Sequence, residues 1–90
     1  RRSIRIENGH PLMPRITGAG CTASAIVAAF AAVDPDPVTA AATGLAVFGL
    51  AGEIAGVSAC GPGPFMIRLL DALHSLTTDQ VISGARIEGP

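Results

Sequence analysis

The sequence predicts an α/β layer fold, mostly helical, with an N-terminal β-hairpin and room for one short strand at its end. Ile4 and Ile6 alternate with Ser3, Arg5 and Glu7 up to Asn8-Gly9, the pattern of a half-buried strand entering a tight turn. The turn Thr17-Gly18-Ala19-Gly20 then feeds an apolar run at helical spacing. Strand, glycine turn and buried helix in that order are how an α/β layer is built.

Leu12 to Ile16 is the expected return strand of the hairpin. Pro11 and Pro14 cannot donate to a ladder, which confines it to an edge or an irregular crossing. From Ala19 to Val33 the chain reads as helix, with Ile26, Phe30 and Val33 recurring among alanines, and Asp34-Pro35-Asp36-Pro37 ends it. Asp36 then suits the N-cap of a second helix whose first residue is Pro37 and which runs to about Val57. Gly44, Gly49, Gly52 and Gly56 each cost about 1 kcal/mol against Ala inside a helix, so another backbone or a ligand is expected to come close to them.

Val38 to Gly52 carries no charge, and a membrane span is the competing reading. A span needs about 20 apolar residues. This run is short, rich in Ala and Gly, and interrupted by Glu53, which favours a helix buried in protein. Gly61-Pro62-Gly63-Pro64 breaks the chain before a third helix, Pro64 to Leu76, with Phe65, Leu69, Leu73 and Leu76 on one stripe and Arg68, Asp71 and Ser75 on the other. Thr77-Thr78-Asp79-Gln80 fits a capping box for a short helix stopped by Gly84, and Ala85 to Glu88 suits a last edge strand.

At 90 residues about 60% of the unfolded surface can be buried, enough for one core. Nearly half the residues are apolar, yet there is no Trp or Tyr and much of the apolar share is Ala, so that core must rest on close helix contacts. A net charge of −1 with 14% charged residues argues against a nucleic-acid surface or an acidic tail, and leaves neutral small molecules as partners. Cys21 and Cys60 have neither metal-ligand nor disulfide-framework spacing, and the first residues show no signal-peptide pattern. Both thiols are therefore expected reduced and unpaired, in a cytoplasmic protein. The opening Arg1-Arg2-Ser3-Ile4, without Met, reads as a strand already under way, as in a piece of a longer chain.

Thr17-Gly18-Ala19-Gly20-Cys21 is the constellation with chemistry attached. The first amides of a helix lack intrahelical acceptors, the helix dipole favours negative charge there, and glycines let phosphate oxygens reach the backbone. No Gly-Lys-Ser/Thr follows, so this is not a P-loop, and Gly-x-Gly before a helix also occurs as a plain tight connection. Cys21 at the helix start is placed where a thiolate is stabilised, as a base or nucleophile. Its competing role is that of a small buried hydrophobe, the role expected of Cys60, whose neighbours Ser58 and Ala59 offer no base or charge. His10 and His74 have no second ligand at metal spacing and read as structural or solvent-facing, and Asp34 and Asp36 as caps. Glu53, near the end of an apolar helix, is the least explained; pairing with an arginine elsewhere in the protein and lining a pocket are the two roles open to it.

Asn8-Gly9-His10, Thr17-Gly18-Ala19-Gly20-Cys21, Ala28-Ala29-Phe30-Ala31-Ala32-Val33 with Asp36-Pro37 behind it, and Gly61-Pro62-Gly63 leading into Phe65 and Leu69-Leu70 together resemble the hydroxyethylthiazole kinases. The likeness runs through nearly all ninety residues and represents about the last third of such an enzyme. It implies that residues 1–90 are the C-terminal segment of a single ribokinase-like kinase domain. It further implies a trimer that uses ATP and Mg2+ to phosphorylate 4-methyl-5-(2-hydroxyethyl)thiazole in thiamine salvage. Related ribokinase-like kinases commonly have Asp where this chain has Cys21, which makes Cys21 the catalytic candidate. Gly18 matches a substrate-contacting glycine, and the amides of Ala19, Gly20 and Cys21 would hold the transferred phosphoryl group. The ATP and Mg2+ sites would lie largely outside this chain, which is expected to supply no metal ligand and to be inactive alone. Neither nucleic acid nor membrane is an expected partner. Pro64 departs from the family, which often has Ser there, but suits a first helical turn. The alternatives are another ribokinase-like kinase or dehydratase, or a non-catalytic helical or membrane-associated module.

Overall fold

The computed structural model describes residues 3–89. Arg1 and Arg2, the expected start of the strand, lie outside the described residues. Along the chain come β1 (Arg5–Ile6), a single 3₁₀ turn (Met13–Arg15), α1 (Ala19–Ala31), α2 (Pro37–Gly56), α3 (Pro62–Ser75), α4 (Thr78–Gly84) and β2 (Ile87–Glu88). The mostly helical fold, with a strand ahead of the helices and a short one after them, is the expected one.

The partner within that pair differs from expectation. β1 pairs with β2, Arg5 opposite Glu88 and Ile6 opposite Ile87, and not with Leu12 to Ile16. Pro11 and Pro14 are the physical reason, since a segment missing two N–H groups gains little from a ladder. It closes instead into the 3₁₀ turn, with Met13 N–H donating to the His10 carbonyl at 3.0 Å and Arg15 N–H to the Leu12 carbonyl at 2.9 Å. Asn8-Gly9 therefore ends the strand without turning a hairpin.

α2 is the central element. Asp36 caps it, accepting from Val38 N–H at 3.3 Å and from the Thr39 hydroxyl at 2.6 Å, and Pro37 occupies the first turn, where its missing N–H has no intrahelical role. α1 packs along it but stops at Ala31, short of Val33; Val33 and Asp34 N–H both close on the Phe30 carbonyl, and Val33 is left 81% exposed. By length and composition α2 is long and apolar enough to cross a membrane, and 56% of that window is buried within this fold.

α3 starts two residues earlier than the prolines suggest. Gly61 is its N-cap and Pro62 and Pro64 both fall in the first turn, so neither removes an intrahelical bond. Its stripe forms the core with α2: Phe65, Leu69 and Ala72 close against Phe48, Ala51 and Ala55, with Leu73 partly buried beside them. Phe65 and Leu69 are the two large side chains fully shut off from solvent, each worth about 1.5–3 kcal/mol of burial. The capping box of α4 forms as its spacing requires: Thr77 Oγ1 accepts from Gln80 N–H at 3.2 Å and Gln80 Oε1 from Thr77 N–H at 2.8 Å.

The glycines of α2 mark close approaches, as expected. A Cβ on Gly44 would come within 3.0 Å of the Val27 Cα in α1, and one on Gly49 within 2.5 Å of the Asn8 carbonyl oxygen. Gly52 faces Met13 and Gly56 faces His10. Spaced three and four apart, Gly49, Gly52 and Gly56 share one face of α2. The chain from Asn8 to Met13 lies along it.

Gly49→Ala should destabilise the fold by about 1–3 kcal/mol, because the new methyl meets backbone that cannot rotate away. Gly20→Ala, at a helical position that no proline follows and whose Cβ meets nothing within 4 Å beyond its chain neighbours and its own helix backbone, should be neutral or stabilise by up to about 1 kcal/mol. Midpoints of urea unfolding compared with the parent protein measure both.

Candidate functional site

Gly18 caps α1 in the left-handed region, φ +85° and ψ 4°, a conformation that an L side chain resists. Its carbonyl accepts twice from Thr22, from N–H and from Oγ1, each at 2.9 Å. That is the first bond of the helix, so the amides of Ala19, Gly20 and Cys21 have no intrahelical acceptor. No acidic residue lies in this first turn to offset its positive end. Around Gly18 and Gly20 an added Cβ would meet no atom of the described residues within 4 Å, so the turn is open on that side.

Gly18, Ala19, Gly20 and Cys21 thus come together at one helix end. The Cys21 thiol is exposed and free. Cys60 is free too, but exposed in the α2–α3 connection, which corrects its reading as a buried hydrophobe: it lies between the end of α2 at Gly56 and the start of α3 at Pro62, on neither helix's packed face. His10 is structural: its ring stacks on Phe65 with centroids 5.3 Å apart, and its Nδ1 accepts from Leu12 N–H at 3.1 Å. His74 is exposed at the end of α3. Asp34 caps as expected, accepting from Asp36 N–H at 2.9 Å.

Glu53 finds its arginine within the chain. Arg86 Nη1 donates to Oε1 at 2.9 Å and Nη2 to Oε2 at 3.0 Å, a two-pronged pairing. Oε2 also accepts from Asn8 Nδ2 at 2.7 Å and from Gly9 N–H at 3.0 Å. Asn8 bonds further to the Gly84 carbonyl at 2.9 Å and accepts from Arg86 N–H at 2.6 Å. One carboxylate thereby joins α2 to the chain after β1 and to the chain before β2. Burial pushes the Glu53 carboxyl up, but the hydrogen bonds from Arg86, Asn8 and Gly9 and the Arg86 charge outweigh it, and the net shift is downward. Sequence reasoning asked for an arginine and could not choose among six; it read Asn8 as a turn residue only.

Over the described residues the fold is that of the C-terminal part of a ribokinase-like protein. It matches the structure of the hydroxyethylthiazole kinase protein from Pyrococcus horikoshii OT3 with a TM-score of 0.93 and 36% identity, over 100% of this chain and 35% of that one. A family model described as the hydroxyethylthiazole kinase family matches residues 1–79. Hydroxyethylthiazole kinase of Desulfotalea psychrophila is 59% identical over 88 residues, which are 98% of this chain and 32% of that protein. The enzyme of the same name from Cereibacter sphaeroides is 56% identical over 98% of this chain and 33% of its own length. The chain belongs to the hydroxyethylthiazole kinase family and spans about a third of the length of the relatives it matches. This membership disfavours the alternatives of another ribokinase-like kinase or dehydratase and of a non-catalytic helical or membrane-associated module.

Because folding lowers the Glu53 pKa below its ordinary 4.5, the stability it contributes is fully present above that value and is lost as pH falls through the folded value. Acid unfolding should therefore contain a component below about pH 4.5 that disappears in Glu53→Gln, whose stability at neutral pH is already reduced. An unaltered acid limb in Glu53→Gln would show that other carboxylates govern it.

Proposed function

We propose that the protein carrying this chain transfers the γ-phosphoryl group of ATP to the hydroxyl of 4-methyl-5-(2-hydroxyethyl)thiazole, and that this chain supplies the anion hole and the base. The observation that carries the proposal is the open N-terminus of α1, three amides without helical acceptors beside an exposed thiol. Identity of 59% to a protein named for this activity supports the substrate.

The hydroxyl oxygen attacks the γ-phosphorus in line as the bond to the bridging oxygen of ADP breaks. The Cys21 thiolate takes the hydroxyl proton, leaving a thiol, a phosphate monoester and ADP. Gly18 lies against the thiazole alcohol, and the amides of Ala19, Gly20 and Cys21 hold the oxygens on which charge spreads. Their contribution is preorganised, since α1 fixes their direction before substrate binds. The donor set suits phosphate oxygens.

Magnesium would neutralise charge between the phosphates. Among the described residues no group of three His, Cys, Asp or Glu side chains converges, so no residue of this chain is assigned to it. ATP and the metal would be held mainly by the rest of the protein, in a cytoplasmic homotrimer whose partners are these small molecules and neither nucleic acid nor membrane.

In the full-length enzyme Cys21→Ala should lower kcat by about 10²–10⁴-fold with little change in KM, the range for loss of a general base. Cys21→Asp, which restores a proton acceptor, should retain much of the activity. Steady-state kinetics decide it: a wild-type kcat in Cys21→Ala would leave the amides as the chain's only catalytic part. The ninety-residue chain alone should show no turnover, because it spans about a third of its relatives; activity of the purified chain, free of host enzyme, would contradict that.

A further inference from the structure

Residues 9–17 carry the chain from the Glu53 network to Gly18, and the hydrogen bonds within them are short-range. Met13 N–H reaches the His10 carbonyl, Arg15 N–H the Leu12 carbonyl, and Leu12 N–H the His10 ring. Such bonds fix the segment's shape but not where it sits on the fold. Its seat comes from elsewhere. Along its length it lies on the flat face left by Gly52 and Gly56, where Met13 and His10 rest. Leu12, Met13 and Ile16 pack on the cluster around Phe48 and Phe65, which also receives Ala19 and Ala23 from the first turns of α1.

Apolar contact of this kind is non-directional and tolerates small slides. Hydrogen bonds set register. At the head of the segment the Gly9 N–H and the Asn8 amide are both fixed on Glu53 Oε2, whose own position is set by the Arg86 fork. We propose that Glu53, held by Arg86 and acting through Asn8 and Gly9, is a positioning residue that sets the seat of residues 9–17 and hence the aim of the Gly18–Cys21 amides. The inference rests on the reading of that turn as the phosphoryl-binding part. The hydrogen bonds described for Glu53 go to Asn8, Gly9 and Arg86 and not to the turn, so its effect travels through the segment it anchors.

Amide hydrogen exchange of the full-length protein tests it, with Glu53→Gln, which keeps the side chain's shape and removes its charge, and Arg86→Lys, which keeps charge and loses the fork. Asp36→Ala, which strips the cap at the far end of α2, is the control for generally lowered stability. In both knot variants, peptides covering 9–22 should exchange about fivefold faster while α3 peptides keep their rates, a size within the range for coupling through packed networks. In Glu53→Gln, kcat per folded enzyme should fall about fivefold with KM little changed, and Asp36→Ala should keep wild-type kcat. If Glu53→Gln does not fold, Arg86→Lys decides by the same measurements. Uniform acceleration along the chain, or unchanged exchange over 9–22, would overturn the inference, because the network would then be a general staple. Selective loosening with unchanged kcat would overturn its link to the amides. A wild-type protein that does not phosphorylate the thiazole alcohol refutes the proposed function instead, and selective loosening in that case supports the positioning role.

Discussion

A carboxylate near the end of an apolar helix has to be satisfied, and the way Glu53 is satisfied organises this molecule. Its side chain is only 26% exposed, so solvent cannot supply all its hydrogen bonds. Four donors from two stretches of chain converge on it: two from Arg86, one from Asn8 and one from Gly9. Asn8 extends the reach, because its amide also bonds the Gly84 carbonyl and the Arg86 N–H. The strand pair is short, two residues on each side, and would be marginal in water without such a tie.

The second constraint is volume. With three Phe, no Trp and no Tyr, the core cannot be filled by large rings and is filled by proximity. α2 is built for this: its buried positions are mostly Ala and Gly, with Phe48 and Leu50 as the large exceptions. Bringing Val27 of α1 and the Asn8 backbone against bare Cα atoms recovers dispersion contacts that bulkier side chains would otherwise provide. The same smoothness lets the irregular segment before α1 lie flat.

What the sequence disclosed, and what it hid, divides along range. Local rules were legible: the Asp36 cap with Pro37 behind it, the Thr77–Gln80 box, the stripe of α3 and the glycine turn opening α1 all depend on residues within a few positions of each other. The close approaches to the α2 glycines were legible as a demand, without their partners. Long-range choices were not. Asn8-Gly9 is a strong turn signal, yet the strand ahead of it pairs with residues some eighty positions away, because Pro11 and Pro14 spoil the nearby alternative. Cys60 read as a buried hydrophobe because Ser58 and Ala59 offer it no base or charge, whereas it is exposed between α2 and α3, a placement that no local rule dictates. For the turn from Gly18 to Cys21, the sequence supplied the residues and the helix supplied the common direction of their amides.

The pairing of Arg5 with Glu88 has a consequence for the order of events in folding. The helices can form and pack from contacts between neighbours in the chain, but this ladder requires both ends, and closing so large a loop is entropically late. On the ribosome β1 emerges before β2 and Arg86, its partners among the described residues, have been made. Until residues 86–88 follow, its unpaired edge and the Glu53 carboxylate stay open to other strands and other cations. The segment carrying β1 is therefore open to mispairing in the interval between translation of residues 5–6 and of residues 86–88.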